Sequence, residues 1–433
     1  MAKQLYSQTI MTIDSWYKQR TYLHFDLPLS KKKARSLVTN KSKVAQHSFL
    51  PFLAYTTRSQ KITKDKHGRV IQKPAKERPI AFASHADSHI YAYYCELLTP
   101  LYERKINEYA LNDTVLAFRK LGKNNIDFAA EAFDTIRNTG SCTAIAYDIS
   151  GFFDNLDHRI LKESWCSLHN VKRLAEDEFA VFKSITRFAT VERDRAYEVM
   201  GISKNNPKSG RYRISDPIEF REKIRKQSLI QTNTQGKGIP QGSPISAFLS
   251  NIYMLKFDKY INEEVLKFGG TYYRYCDDML FVVPKSARNK ITDLVRREIK
   301  RLKLDINKDK IEIRDFNTRS GKLRAQKPLQ YLGFLFDGQH TYLRSASLAR
   351  YSERMRRGVN LAKKTQRKHN KQRSIMGLKE RAVFRKKLYS RYSHFGARNF
   401  VTYGLRAAER MSSPQIRKQL KPLWHRLLKE IDS

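Results

Sequence analysis

The sequence is short of acidic residues and of cysteine, and it has no long apolar run. Its 433 residues include 42 Asp and Glu against 84 Lys and Arg, which gives a formal net charge of +42. This excess of positive charge predicts binding to a polyanion through counterion release, with an affinity that falls as salt increases. Hydrophobic residues still make up 40% of the chain, so it is not a disordered basic tail, and its length suits two or three subdomains.

The cysteines and the apolar pattern exclude several classes of protein. Cys95, Cys142, Cys166 and Cys276 show neither CxxC nor Cys/His ligand spacing, which argues against structural zinc and disulfides and favours a reducing, cytoplasmic environment. No run of about 18 apolar residues occurs, and residues 1–16 lack the layout of a signal peptide. Nucleic acid is therefore favoured over an anionic membrane as the partner.

A pair of adjacent carboxylates lies between two β-prone runs in residues 271–283, TYYRYCDDMLFVV. This pattern predicts a hairpin with Asp277 and Asp278 at its tip. Adjacent carboxylates repel each other and bury badly, so they require a compensating cation or full exposure to water. A divalent metal is the first interpretation, because Mg²⁺ binds carboxylate and phosphate oxygens together. A solvated Asp-Asp turn is the alternative for the pair taken alone.

Two other segments have patterns expected near a phosphate-binding site. Residues 143–149, TAIAYDI, predict a short strand with Asp148 near its end. Residues 236–244, GKGIPQGSP, predict a loop that opens a helix over 245–257. Its three glycines would let the backbone approach a ligand closely, and the helix N-terminus would favour phosphate. A plain strand-to-helix connection is the alternative.

The remaining segments are basic. Residues 190–237 are polar and rich in turn formers, which indicates an insertion or a mobile hairpin. From residue 343 onward the pattern is helical and densely basic, with interleaved aromatics that either pack inward or stack on bases: Phe384, Tyr389, Tyr392 and Phe395. Residues 84–103, 126–137 and 287–302 are predicted helices, and 329–336 is a predicted strand.

Asp148 and the Asp277–Asp278 pair suggest one reaction when they are taken together. Carboxylates that converge on two divalent ions can bridge an attacking hydroxyl, a triphosphate and a leaving pyrophosphate. Phosphoryl transfer of this kind needs positioning and charge neutralisation more than covalent chemistry. In so basic a chain, the pattern indicates nucleotidyl transfer along a nucleic-acid template.

Five motifs, in their order and spacing, resemble the palm of reverse transcriptases. They are YDISGFFDNLDH at 147–158, GIPQGSP at 238–244, YCDD at 275–278, LDINKDKIEI at 304–313 and YLGF at 331–334. The resemblance covers about residues 76–340. It implies an α+β fold of the right-hand polymerase type, with fingers, a palm whose antiparallel sheet carries the carboxylate hairpin, and a helical thumb. The implied domains are 1–140 (N-terminal extension and fingers), 141–340 (palm, with the basic insertion at about 190–237) and 341–433 (basic helical thumb).

The resemblance also implies roles for individual residues. The catalytic carboxylates would be Asp148, Asp277 and Asp278, and together with Ile149 they would bind two Mg²⁺ ions, with Mn²⁺ as the alternative ion. The primer grip would be Tyr331, Leu332, Gly333 and Phe334. The residues implied in nucleotide binding are Lys76, Arg78, Phe152, Phe153, Gln241, Gly242 and Lys310.

Two of these implied roles have alternatives. Phe153 would be the steric gate that excludes a ribose 2′-OH and favours dNTPs, but a core aromatic beside Phe152 is the other interpretation. Only one of the two rings can face the nucleotide. Lys310 would donate a proton to pyrophosphate, or it would be a solvated surface lysine.

Within the reverse transcriptases, the chain resembles the defence-associated enzymes, and the type 2 class most. Such an enzyme copies a companion structured non-coding RNA into cDNA from dNTPs, as part of protection against phage. The retron signatures NAxxH and VTG and a Cys/His endonuclease segment are missing from the sequence. A homo-oligomer or a ribonucleoprotein complex, without a membrane, is the implied assembly.

Other functions remain open at this point. One is an RNA-binding ribonucleoprotein scaffold with a vestigial polymerase site. Others are a retron-like or group II-intron-like reverse transcriptase and a template-independent nucleotidyltransferase.

Overall fold

The computed structural model describes residues 15–64 and 70–433, without the side chains of 59–74 and 76. The backbone divides into two compact units. The first comprises the described residues up to Phe118 with Ile149–Glu263 and Leu294–Ile306, and the second comprises Arg119–Asp148, Glu264–Asp293 and Asn307–Ser433. The functional boundaries near residues 140 and 340 stay a prediction.

The described chain mixes helices and strands. Its α helices are α1 (Lys31–Val38), α2 (Lys41–Ala45), α3 (His85–Glu108), α4 (Asn125–Thr139), α5 (His158–His169), α6 (Glu176–Thr186), α7 (Arg193–Val199), α8 (Pro217–Glu219), α9 (Ser246–Lys267), α10 (Arg288–Arg301), α11 (Ser345–Ile375), α12 (Arg385–Tyr392), α13 (Phe400–Arg410) and α14 (Pro414–Asp432). Its strands are β1 (Phe52–Lys64), β2 (Val70–Phe82), β3 (Cys142–Asp148), β4 (Ala189–Glu192), β5 (Gln231–Thr232), β6 (Thr271–Tyr275), β7 (Asp278–Val283), β8 (Glu312–Arg319), β9 (Lys322–Ala325), β10 (Leu329–Tyr331), β11 (Phe334–Phe336) and β12 (Thr341–Leu343). None of the helices among the described residues is long and apolar enough to cross a bilayer.

The first unit contains a sheet in the order β2-β1-β4-β5, and Phe52 of β1 stacks on Tyr91 of the long helix α3. The Asp26 carboxylate accepts hydrogen bonds from the backbone N–H groups of His85 and Ala86, at 3.0 and 2.9 Å. Ser84 caps the same helix end by accepting from the N–H of Asp87. Polar side chains therefore satisfy donors that a buried helix start would otherwise leave unpaired.

Of the two interpretations of residues 190–237, the mobile hairpin is wrong, and the insertion stays a prediction. The segment contains β4, α7, α8 and β5, and its apolar residues form a buried core with residues from β1 and the N-terminal region. Ile214 also donates its backbone N–H to the carbonyl of His24, at 2.8 Å. Eight apolar residues of this polar segment are buried, and their burial is enough to fold it. They are Val191, Ala196, Tyr197, Met200, Ile202, Ile214, Phe220 and Ile224.

The second unit is built on an antiparallel sheet in the order β6-β7-β3-β8-β9. The apolar face of α4 packs on this sheet, and the C-terminal helices α11 to α14 extend the same core. The strand β3 is buried along its whole length because both of its faces are covered. The predicted α+β class, with an antiparallel sheet, is confirmed.

Two predicted elements differ in extent from the observed ones. Residues 329–336 form a hairpin of β10 and β11 rather than one strand, because Leu332 and Gly333 take positive φ angles of 45° and 94° at a two-residue turn. The helix α9 continues to Lys267, ten residues beyond the predicted end at 257, and Ile261 and Val265 in that extension are buried.

His24 makes the stability of the first unit depend on pH. The ring is fully buried, and its Nδ1 accepts a hydrogen bond from the N–H of Phe25 at 2.9 Å. Burial, with the nearby His85 ring, lowers the pKa of His24 from 6.5 to about 3. Between these pH values the unfolded chain takes up a proton that the folded chain does not, so stability falls as the pH drops below 6.5.

We expect His24→Asn to weaken this pH dependence, because the amide oxygen can replace Nδ1 as the acceptor but does not titrate. For His24 the loss between neutral pH and pH 5 is about 2 kcal/mol in the free energy of unfolding. Thermal unfolding midpoints at pH 7.5 and 5.0 measure it. The fall on acidification should be smaller in H24N than in wild type, whereas replacement of the exposed His425 by Asn should leave it unchanged. Equal falls in wild type and H24N would refute the assignment.

Candidate active site

The predicted carboxylate hairpin forms from β6 and β7. Tyr275 pairs with Asp278, so Cys276 and Asp277 make a two-residue turn. Cys276 has a φ of +59°, a left-handed conformation that hairpin turns usually give to glycine. Strained backbone of this kind is found most often at functional sites. The turn places two carboxylates next to each other at the end of a buried strand pair.

Asp148 lies directly opposite Asp278 where β3 pairs with β7. Directly paired residues of antiparallel strands place their side chains on the same face of the sheet. Asp148 is only 7% exposed. The ladder therefore brings together the carboxylates that the sequence separates by more than a hundred residues.

The pKa of Asp278 shows that several negative charges lie close together at this site. Burial, with the neighbouring Asp277 and Asp148 carboxylates, raises the pKa of Asp278 to about 7. Lys310 and Arg344 act in the opposite direction. Lys310 also donates a hydrogen bond from Nζ to Oδ2 of Asp148, at 2.5 Å. The predicted residue Lys310 is thus placed at the carboxylates.

Two basic residues at this site were missed by sequence reasoning. Arg274 is fully buried in β6 and donates from its guanidinium to the carbonyl of Cys276, at 3.2 Å, so it supports the turn from within the hairpin. Arg344 directly precedes α11, and its positive charge acts to lower the pKa of Asp278. Alternation in TYYRY could have indicated that Arg274 faces inward, but nothing in the sequence singles out Arg344 among so many arginines.

The carboxylate cluster fits a hard divalent cation. Its donors are oxygens, and the raised pKa of Asp278 indicates negative charge that is only partly compensated. Among the described residues, no group of three or more His, Cys, Asp or Glu side chains could hold a metal ion by itself.

In the first unit, the 236–244 loop lies against the protein's own backbone. Gly238 and Gly242 have φ angles of +85° and +124°, and a Cβ on either would lie 2.9 Å from a backbone carbonyl oxygen, that of Asp154 or Ala81. The Gln241 carbonyl also accepts from the N–H of Ala81, at 2.9 Å. Two of the three glycines are therefore needed for packing between chain segments, while the approach of this loop to a ligand stays a prediction.

The residues implied in nucleotide binding lie mostly in this first unit. Phe152 is buried, whereas the Phe153 ring is half-buried, so Phe153 is the member of the pair with exposed surface. Arg78 is exposed on β2. The side chain of Lys76, also on β2, lies outside the described residues. Ile149 follows Asp148 and is buried.

The segment implied as the primer grip is the β10–β11 hairpin of the second unit. Tyr331 and Phe334 are buried in the core, while Leu332 and Gly333 form the more exposed turn. The side chain of Asn125 donates to the carbonyl of Leu332, at 3.2 Å, and to Tyr403. The turn is therefore fixed to α4 and α13 of the same unit.

The family model described as "Reverse transcriptase (RNA-dependent DNA polymerase)" matches residues 64–336, more than half of the chain. The chain belongs to the reverse transcriptase family. The matched range contains both strands of the carboxylate hairpin, β3 and the 236–244 loop, and it confirms the predicted polymerase fold. No curated protein matched this reverse transcriptase chain.

Among solved structures, the reverse transcriptase chain is similar to telomerases of two yeasts. One is an apo telomerase from Candida tropicalis truncated from its C-terminal domain, at 13% identity and a TM-score of 0.41, with 72% of this chain and 60% of that chain covered. Another is a telomerase from Candida albicans in complex with a TWJ fragment of telomeric RNA, at 11% identity and a TM-score of 0.43, with 93% and 66% covered. The chain thus spans less than two thirds of the length of these telomerase chains.

We expect Lys310→Met to make the thermal stability of the protein depend more strongly on divalent cations. Methionine keeps the size of the side chain but removes the ammonium group that contacts Asp148. The Lys310 side chain is 42% exposed, so solvent screening limits the direct loss to about 1 kcal/mol. Because the remaining carboxylates then lack their nearest cation, added Mg²⁺ should raise the thermal midpoint more in K310M than in wild type.

The Lys303–Asp157 pair of the first unit provides a matched control, with a contact of 2.6 Å. Lys303→Met should lower the midpoint by a similar amount, without any change in the response to Mg²⁺. A Mg²⁺-induced rise of equal size in K310M and wild type would show that Lys310 does not compensate the carboxylates.

Proposed function

We propose that this chain is an RNA-directed DNA polymerase that copies a bound, dedicated non-coding RNA into cDNA as part of anti-phage defence. The observation that carries the polymerase activity is the pairing of Asp148 with Asp278 at the hairpin that also presents Asp277. This arrangement lies within the segment that matches the reverse transcriptase family.

Asp148, Asp277 and Asp278, with the backbone carbonyl of Ile149, would hold the divalent cations, which we propose to be Mg²⁺ with Mn²⁺ as a substitute. When bound, such ions activate the primer hydroxyl and neutralise charge on the triphosphate. Asp148 is buried and Asp278 is half-buried, and reduced contact with water would strengthen the electrostatic interactions at this site. Lys310 and Arg344 limit the repulsion among the carboxylates before the substrate arrives.

The first unit would supply nucleotide recognition. The exposed guanidinium of Arg78 suits the triphosphate, because its planar donors can bind phosphate oxygens in pairs. The half-buried ring of Phe153 would lie against the sugar, and the 236–244 loop, with Gln241 and Gly242, would contact the incoming base pair. The β10–β11 turn would support the primer.

The formal charge of +42 supports a nucleic-acid partner, which would comprise the RNA template and the cDNA product. The motif resemblance supports the type 2 defence-associated class and a companion RNA encoded with the enzyme. All four cysteines are free thiols, which supports a cytoplasmic site of action. A ribonucleoprotein complex or homo-oligomer would be the working form.

Sequencing of nucleic acid that co-purifies with tagged protein tests this function. In wild type we expect one abundant structured RNA together with complementary DNA. Asp277→Ala/Asp278→Ala should retain the RNA and lose the DNA, because the basic surface is intact while the carboxylates are gone. Glu263→Ala/Glu264→Ala removes two acidic side chains from α9 and should keep the DNA.

The other outcomes separate the alternatives. RNA without DNA in both wild type and D277A/D278A, even with added dNTPs and Mg²⁺, would indicate a scaffold with a vestigial site. DNA unrelated to the bound RNA would indicate template-independent synthesis. A random RNA mixture would refute the dedicated template.

Phe153→Val tests the sugar selectivity. If the exposed part of the ring excludes a 2′-OH, the smaller side chain should raise rNTP incorporation relative to dNTP by about tenfold or more. Single-nucleotide extension with matched dNTP and rNTP gives the ratio of the two kcat/KM values. Phe179→Val changes another partly exposed phenylalanine of the same unit and should leave that ratio unaltered. An unchanged ratio in F153V would remove Phe153 from the role of steric gate.

A further inference from the structure

A cavity of about 640 Å³ lies in the C-terminal helical part of the second unit. We refer to it as the α11–α12 cavity. One wall is the middle and end of α11, and the other is the segment from Met376 through α12. It is formed by residues outside the family-matched range 64–336.

Specific hydrogen bonds hold the two walls together. The Asn370 side chain, 5% exposed, accepts from the backbone N–H of Arg381 and donates to its carbonyl, both at 3.0 Å. Gln366 donates to the same carbonyl at 2.9 Å, and the Arg373 guanidinium donates to the carbonyl of Lys379 at 2.7 Å. The segment after α11 is thus anchored by backbone contacts to α11 side chains, so the cavity is a built feature and not a packing gap.

Gly358 closes one end of the cavity. A Cβ at this position would lie 2.2 Å from the Tyr392 hydroxyl oxygen, so only glycine lets α12 approach α11 this closely. The Tyr392 carbonyl also accepts a hydrogen bond from the Tyr351 hydroxyl, at 2.5 Å. Tyr392 is therefore held against α11 at two points, its hydroxyl beside Gly358 and its backbone carbonyl at Tyr351.

The lining leaves apolar surface uncovered. Leu361, Met376 and Phe384 are 66%, 74% and 68% exposed, and all three line the cavity. The interleaved aromatics of this region separate into two groups, because Tyr389 and Tyr392 pack against the core while Phe384 does not. A contiguous exposed apolar surface of this kind marks a binding site more often than a structural one.

The charge around this apolar surface has one sign. Arg373, Arg381, Lys387 and Arg391 line the cavity, and none of the described lining residues is acidic. Over residues 345–392 the sequence has 16 Lys and Arg against two Glu. The positive charge extends along α11 well beyond the cavity, as expected for contact with a long polyanion and not with one acidic helix.

We propose that the α11–α12 cavity binds one unpaired nucleotide of the RNA, with its base stacked on Phe384 and its phosphates beside Arg381, Lys387 and Arg391. The volume is in the range of small-molecule sites and accommodates a nucleotide. An exposed aromatic ring provides stacking for any base, and the basic rim neutralises the backbone. This inference rests on the RNA partner of the proposed function, but not on its catalysis.

Binding of two labelled RNA hairpins to full-length protein tests the proposal. One hairpin carries a single-nucleotide adenosine bulge, and the other is fully paired. Wild type should bind the bulged hairpin more tightly. Phe384→Ala should weaken binding of the bulged hairpin by about fivefold or more, the effect of losing one aromatic–base stack, and should not change binding of the paired hairpin. An abasic nucleotide in the bulge should cause a similar loss with wild-type protein.

Phe395→Ala is the matched control, because Phe395 is 66% exposed in the same unit but does not line the cavity. It should leave both affinities unchanged. If F384A weakens both hairpins equally, or neither, the proposal is wrong. If instead an acidic amphipathic peptide binds in a Phe384-dependent way while the bulged RNA does not, the site takes a protein ligand and the proposal is also wrong.

The assay contains no dNTP, so its result is independent of the polymerase test. D277A/D278A should keep the preference for the bulged hairpin. If wild-type protein makes no cDNA but prefers the bulged hairpin, only the proposed function is contradicted. If it makes cDNA but shows no such preference, only the nucleotide-binding cavity is contradicted.

Discussion

The repulsion between carboxylates held on adjacent strands is the constraint on which the second unit depends. Antiparallel pairing of β3 and β7 places Asp148 opposite Asp278, an arrangement that costs stability when both are charged. The unit maintains it because the rest of the sheet is covered by α4 and the C-terminal helices, whose apolar core fixes the strands. Lys310 and Arg344 reduce this cost, and the buried Arg274 supports the turn through the carbonyl of Cys276.

Much of this unit could be predicted from the sequence, because its central strands are short apolar runs and its carboxylates interrupt them. The hairpin, β3 and the helix α4 all follow from local pattern. Arg344 could not be predicted, since its position depends on the fold and not on its neighbours in the chain. The hairpin at 329–336 was missed because Leu332 takes a backbone conformation that leucine rarely adopts.

The first unit shows how a motif can be recognised correctly and still be interpreted too simply. Glycines in the 236–244 loop suggest closeness to a ligand, yet Gly238 and Gly242 approach the carbonyls of Asp154 and Ala81. The loop is therefore packed between β2 and the turn that carries Phe153. A glycine pattern identifies close approach, but only the tertiary structure shows what is approached.

The pairing of β3 with β7 also limits how length can vary in this protein. A strand presents alternate residues to opposite faces, so one residue gained or lost within β3 would turn Asp148 away from Asp278 and move the other side chains of the strand to the opposite covered face. Such a shift changes every residue of the strand at once. The connections outside the paired strands, in contrast, can lengthen by single residues at little cost in stability. Insertions and deletions in related chains should therefore collect in these connections and be excluded from a core of a few paired residues.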